Sequence, residues 1–189
     1  GWKGPVEAEF GYGDGGEGTV INCGAVPANG CTADNYITSY FRRAIELDQI
    51  DDIQDLLVRV RRDDGAAVYI NGVEVVRDNL APGAAYNTPA IGNAADDGAG
   101  FVEFTVPASM LVVGRNVVAV EVHQVSATSS DVSFDLELVA RRGNLSVLAN
   151  DVHNTGGTLS ASVETQPLHG TLSLAASGGF TYTPAANYN

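Results

Sequence analysis

Along most of the chain, apolar and polar residues alternate with a period of two. The stretch AAVYINGVEVV, residues 66–76, shows it best. Asn71-Gly72 is the preferred pair for a two-residue type I′ turn, because both positions need positive φ. Such a turn predicts Ile70 opposite Val73 and Val68 opposite Val75, four branched apolar residues on one face, with Tyr69 and Glu74 on the other. NVVAVEVHQ places Val118, Val120 and Val122 inward and Glu121 and His123 outward. VSFDLELVA places Val132, Phe134, Leu136 and Leu138 inward and Ser133, Asp135 and Glu137 outward. FVEFTV and LLVRVRR read alike. Strands with one wet face pack as stacked antiparallel sheets, so the expected class is an all-β sandwich. One exception is DDIQDLL, whose acids stand where a helix would start and predict a short helical piece at Ile50–Leu56.

Near Arg141-Arg142-Gly143 the texture changes. Residues 143–189 are rich in Ser, Thr, Asn and Gly, with thin strands in TLSASVE, GTLSLA and GFTYTP and a hairpin around Ser177-Gly178-Gly179. The expected division is therefore 1–142 and 143–189. Forty-seven residues bury too little surface for an independent sandwich, so the second unit is expected to be incomplete.

Charge narrows the partners. Ten Lys+Arg against 23 Asp+Glu give a formal net charge of −13 in 189 residues. That balance repels nucleic acid and anionic lipid and favours cations, calcium above all, although solubility alone explains it equally well. No apolar run approaches the ~18 residues of a membrane span, so membrane insertion is not expected. The chain opens without an initiator Met or a signal-peptide pattern, which predicts a processed or cut product. Cys23 and Cys31 flank CGAVPANGC, whose turn formers let the thiols meet. With no further Cys or His nearby to complete a metal site, a disulfide is expected, contributing about 2–3 kcal/mol and implying an oxidising, extracellular setting.

In FGYGDGGEGTVINC, Gly11, Gly13 and Gly16 match the spacing of a dinucleotide loop. Such a loop needs a helix after it, and here a β-branched run comes next, with Asp14 and Glu17 placed to repel phosphate. The glycines are expected instead to let the backbone turn tightly and leave room for Asp14 to reach a cation. Asp63-Asp64-Gly65 is the leading metal candidate, because adjacent acids on a turn offer two carboxylates to one hard ion. Its competing reading is a β-turn whose acids pair with Arg61 or Arg62. Asp96-Asp97-Gly98 reads first as solvated loop charge. Glu121 and His123 read as a polar outer face, since no nucleophile motif or third orienting residue accompanies them. Trp2, Tyr12, Tyr36, Tyr40 and Tyr86 are candidate sugar-stacking planes, with ordinary packing of half-buried rings as the alternative. Asn144-Leu145-Ser146 is a sequon, and His153 and His169 stand in turns.

FGYGDGGEGT, SYFRRAIEL, RVRRDDGAAVYINGVEVVRDNL, LLVVGRNVVAVEVHQ and SDVSFDLELV together resemble the galactose-binding-domain-like jelly-roll module of large secreted bacterial proteins, over residues 2 to about 140. The resemblance implies an antiparallel jelly roll without chemistry of its own, which binds sugars or holds other domains in place. At the paired aspartates the chain is distantly similar to the lectin domains of yeast flocculins, where such a pair holds a calcium ion that touches the glycan. VLANDV, ETQPLHGTLSL and GGFTYTPAANYN resemble a cadherin-like tandem repeat, which implies a junctional calcium role for Asp151. Against both patterns the chain lacks a strand before Trp2, one before VLAND and one after PAANYN. The expected function is thus a non-catalytic extracellular structural or adhesive module, calcium-stabilised and carbohydrate-binding. A fibre protomer joined to copies of itself by strand complementation, and an accessory domain of a secreted hydrolase, are the alternatives.

Overall fold

The computed structural model describes residues 6–13, 15–24, 34–50, 53–143 and 146–188. Trp2, Asp14, Cys31 and the sequon's Asn144 and Leu145 lie outside the described residues. The Asn71-Gly72 turn forms with φ of 52° and 82° and joins β5 (Gly65–Ile70) to β6 (Val73–Asp78). Ile70 faces Val73, but the register shifts at Val68/Tyr69, so that Val68 faces Val76 and not Val75. The extra residue reverses the inward and outward parity of the positions after it. Val76 is therefore buried while Val73 stands 53% exposed, and the expected four-residue apolar face reduces to three.

The remaining strands are β1 (Phe10–Tyr12), β2 (Thr19–Val20), β3 (Thr38–Leu47), β4 (Ile53–Arg62), β7 (Val102–Pro107), β8 (Gly114–His123), β9 (Val132–Arg142), β10 (Gly170–Leu174) and β11 (Phe180–Pro184). The helix expected at Ile50–Leu56 is replaced from Ile53 onward by β4, in which Leu56, Val58 and Val60 alternate inward and are almost fully buried. Period two, pairing with β7 and three branched or γ-branched core side chains outweigh the local acids.

Two compact units divide the chain: Gly1–Ile50 with Asp55–Ala140, and Asp51–Gln54 with Arg141–Asn189. The first holds a five-stranded sheet ordered β2-β1-β9-β4-β7 and a four-stranded sheet ordered β3-β8-β5-β6. With the two-residue β2 set aside, the chain alternates between the sheets as an eight-stranded jelly roll does. The described pairings are antiparallel except β1 with β2, which is parallel. Inward side chains of both sheets form the core: Leu56, Val58, Val60, Val68, Ile70, Val120, Val122 and Val132 are all at most 4% exposed. Phe41 from one sheet stacks on Phe134 from the other at 4.2 Å, with Phe10 at 5.2 Å from Phe41. Each such ring pair contributes about 1 kcal/mol beyond its burial.

In the second unit, β10 and β11 pair antiparallel from Gly170↔Pro184 to Leu174↔Phe180 across the expected turn, with Gly178 at φ 89°. TLSASVE forms no strand; the Ala161 amide donates to the Ala176 carbonyl at 3.0 Å without a ladder around it. Leu159, Ala161 and Val163 alternate toward one side but are only partly buried, and no partner strand among the described residues pairs with them.

Truncating Leu56 to Ala should cost about 2–5 kcal/mol in chemical denaturation. Val73→Ala, on the exposed end of the hairpin, should stay within about 0.5 kcal/mol.

Candidate metal centre

The pairing registers bring the end of β4, the start of β5, the ends of β6 and β8 and the starts of β7 and β9 to one end of the sandwich. Three crossovers between the sheets meet there: Asp63-Asp64, residues 79–101 and residues 124–131. Each contributes acids.

Asp64 is 2% exposed and acts as the tie. Its Oδ1 accepts the Ala94 amide at 2.9 Å and its Oδ2 the Val125 amide at 2.6 Å, so one carboxylate bonds both other crossovers. The Asp64 carbonyl accepts from the Asn79 side chain at 3.2 Å. Asp63, joined to Asp64 by a cis peptide, donates its amide to the Ser133 carbonyl at 3.0 Å. The two acids thus take different tasks. Asp64 is spent on backbone amides, while the Asp63 carboxylate turns to Asp97 and Asp131, with one oxygen from each of the three within 4.8 Å of the others.

Neither neighbouring arginine neutralises this group. Arg61 bonds Glu9, and Arg62, 8% exposed, is held by Asp78 at 2.6 Å and Asp96 at 3.3 Å. The expected alternative pairing of Asp63 and Asp64 with these arginines is therefore not the one formed. Asp96 also accepts the Gly100 amide at 3.0 Å, which anchors its turn. The next two residues, Asp97 and Gly98, take φ of 54° and 68°, and this turns Asp97 toward Asp63. Gly98 cannot carry a side chain: a Cβ there would lie 2.7 Å from that of Ser133 and 3.1 Å from that of Asp63.

The glycine-rich loop serves the same end. At Gly13, φ is 106°, and a Cβ would meet the Ser130 carbonyl oxygen at 2.4 Å and Asp131 at 2.8 Å. Gly11 lies so close to the Val132 carbonyl that a Cβ would sit 1.9 Å from its oxygen. These glycines let β1 and its loop lie against the Asp131 backbone, as close approach requires.

Burial of the Asp63 carboxyl, then the charge and hydrogen bond of Asp64 and the charges of Asp131 and Asp97, pushes its pKa up to about 8. Without a cation the group holds a proton below that pH; with one, Asp63, Asp97 and Asp131 would supply three hard oxygen ligands for a divalent ion. Tyr12 borders the cluster. Burial raises its pKa, with Asp131 and Asp63 adding to the effect, and its hydroxyl accepts from the Gln124 amide. The buried Gln124 Oε1 has no hydrogen-bond partner among the described residues.

Other expected site residues fall elsewhere. Tyr12 is 4% exposed and faces the interior, so it offers no stacking plane, whereas Tyr36 and Tyr86 stand 47% and 72% exposed. Asp151 sits on an exposed turn of the second unit. Cys23 is buried, no described cysteine is free, and Cys31 is outside the described residues. His123 is not on a wet face: it is fully buried, with Nδ1 2.7 Å from the Thr88 carbonyl. The 79–101 crossover covers it, which strand alternation alone does not reveal. Ser133 is likewise buried, at 1%. Asp131 carries no turn doublet, so sequence reasoning missed it; its signal is its place immediately before β9, where a crossover ends.

No curated protein matches the chain. Among solved structures it is similar to the β-D-mannosidase from Dictyoglomus thermophilum, at 15% identity and a TM-score of 0.32, over 46% of this chain. The chain spans 9% of that protein's length. A family model for a bacterial Ig domain matches residues 114–189, from the start of β8 through the second unit.

Proposed function

We propose that the chain is a non-catalytic extracellular β module whose sandwich is clamped by calcium at its acidic end. The observation that carries this reading is the convergence of Asp63, Asp97 and Asp131, one from each crossover, with Asp63 buried and no arginine paired to it. A structural cation explains why a fold would tolerate such repulsion. The bacterial Ig match over residues 114–189, which takes in β8 and β9 as well as the second unit, supports reading the C-terminal part of the chain as an Ig-like or cadherin-like element of a surface-type protein. A Cys23–Cys31 disulfide fits the same oxidising setting.

A second reading, a fibre protomer, draws on sheet edges. The ten-residue β3 borders the four-stranded sheet, β10 and β11 form a sheet of two, and Val152 and Leu168 stand 82% and 94% exposed. Strand addition from a second copy would cover such edges. Regular filaments at high concentration favour it, and a monomer in sizing at every concentration refutes it.

Calcium titration by calorimetry should show binding in the roughly 10⁻⁴–10⁻³ M range of extracellular modules or tighter. Asp97→Asn and Asp131→Asn should each weaken it at least about tenfold, which is 1.4 kcal/mol. Absence of heat, together with an unchanged melting point on adding calcium, refutes the clamp.

The pH dependence has a fixed sign. In chelator, folded Asp63 keeps its proton up to about pH 8, whereas an unperturbed aspartate loses it near 3.8. Between those values the folded state binds more protons, so stability is greatest at the acid side and falls as pH rises through the window. Asp63→Asn should flatten this slope, and saturating calcium should offset the loss in the parent chain. A melting temperature in chelator that rises across the window contradicts the assignment.

A further inference from the structure

The ten-residue β3 has β8 as its one partner among the described strands. Bond direction shows what its other side offers. The Gln124 amide donates to the Ile37 carbonyl at 2.8 Å, just ahead of a ladder that runs unbroken from Thr38↔His123 to Leu47↔Gly114. Directly opposed residues of an antiparallel pair alternate between exchanging both backbone bonds and exchanging none. Odd positions of β3 therefore spend their N–H and C=O on β8, and even positions aim theirs at the free side. The far side of β8 agrees: the Asn71 amide donates to the Val117 carbonyl at 2.9 Å, so odd positions of β8 serve β5 and even ones serve β3. Tyr36, an even position ahead of β3, gives its amide to the Cys23 carbonyl at 2.7 Å. Further along, the outward amides and carbonyls of Tyr40, Ala44 and Glu46 have no partner among the described residues.

Such a row of unpaired groups accepts another strand, and the side chains decide which one fits. Phe41 stacks on Phe134 of the other sheet, so odd positions of β3 face inward and even positions outward. Arg42, Ala44 and Glu46 share the outward face and are exposed, while Phe41, Ile45 and Leu47 share the inward face and are half-buried. Glu46 has no ion-pair partner among the described residues. When a second copy extends the sheet antiparallel, inward positions lie beside inward ones, and the two-fold axis passes through a residue of β3. An axis at Arg42 or Arg43 sets that arginine against its own copy, which like charge disfavours. Only an axis at Ala44 sets arginine against acid within the strand: Arg42 meets Glu46 of the second copy, and Glu46 meets the second copy's Arg42. The same axis puts Phe41 opposite Leu47, Arg43 opposite Ile45 and the small Ala44 opposite itself.

We propose that β3 is a self-complementary edge through which two copies of this chain pair antiparallel about a two-fold at Ala44, joining their four-stranded sheets into one. The Ala44–Ala44 and Arg42–Glu46 pairs are then the ones that exchange backbone bonds, because both members aim theirs outward. Free backbone groups drive the contact and charge chooses its register: exposed ion pairs add little energy, but opposed like charges exclude the alternatives. A net charge of −13 on each copy opposes approach at long range, which keeps the pairing concentration-dependent. The pairing rests on the strand-addition reading for the use of β3, differs from a fibre in being closed by symmetry, and is independent of the calcium clamp.

Sedimentation equilibrium of the whole chain is the test. A monomer–dimer equilibrium with a dissociation constant below about 1 mM is expected. Arg42→Glu and Glu46→Arg, each checked for unchanged melting, set like charges opposite each other twice and should each weaken the dimer at least about tenfold. The double exchange should return it to within about threefold of the parent. Ala44→Pro removes an amide that no strand of its own chain uses and should abolish the dimer. A monomer at every concentration, a dimer indifferent to both single reversals, or no recovery in the double variant overturns the pairing. Filaments unaffected by Arg42→Glu, with no discrete dimer, also overturn it while leaving the fibre reading to another edge. A dimer that obeys the exchange and never extends retains the pairing and refutes the fibre.

Discussion

One carboxylate holds the acidic end of the sandwich together. Asp64 is buried, and it is satisfied by amides from two crossovers that are distant in sequence, at Ala94 and Val125. A charged acceptor bound to two buried amides is worth more than two neutral hydrogen bonds, and its loss leaves both donors unsatisfied. Because Asp64 fixes those crossovers, Asp97 and Asp131 arrive at Asp63 in a set geometry. The closeness of the three thus begins in the backbone arrangement, with Asp63 as the buried member. Arg62, locked between Asp78 and Asp96, stiffens the same region without pairing to Asp63.

Much of the sandwich was legible in the sequence because alternation and turn chemistry are local. Val118, Val120 and Val122, the Asn71-Gly72 turn and the Gly178 hairpin needed only neighbours a few residues away. The features that escaped depended on distant chain. Ile53–Leu56 reads as helical until β7 supplies a partner, and Val75 reads as a core residue until the shift beside Val68 displaces it. His123 and Ser133 sit at outward positions and are buried nevertheless, because crossovers fold over the ends of their strands.

The acidic site divides the same way. Asp63 and Asp64 announce themselves as a doublet on a turn, yet sequence could not say that one would ligate backbone and the other face its fellow acids. Asp97 looked like solvated charge because nothing nearby in sequence consumed it. Asp131 had no local signal beyond the strand that begins after it. Three acids separated by 34 residues at each step meet only through the jelly-roll path. The glycines at 11 and 13 have a similar history: their sequence context excluded a phosphate loop and suggested a tight turn, and the close approach they permit is to the chain around Asp131 and Val132.

The additional residue in β6 has a consequence for how this kind of surface can vary in length. Loss of Val75 alone would remove the bulge yet keep Val76 opposite Val68, Arg77 opposite Ala67 and Asp78 opposite Ala66, and so keep their facing. Loss of one residue more would set Val76 opposite Tyr69 and turn Asp78 away from Arg62, so that a second deletion on an exposed hairpin would be felt at the far tip. The bulge is therefore a one-residue reserve: the strand can lose it without disturbing the tip, and any further change of length is transmitted there despite the strand's solvent exposure.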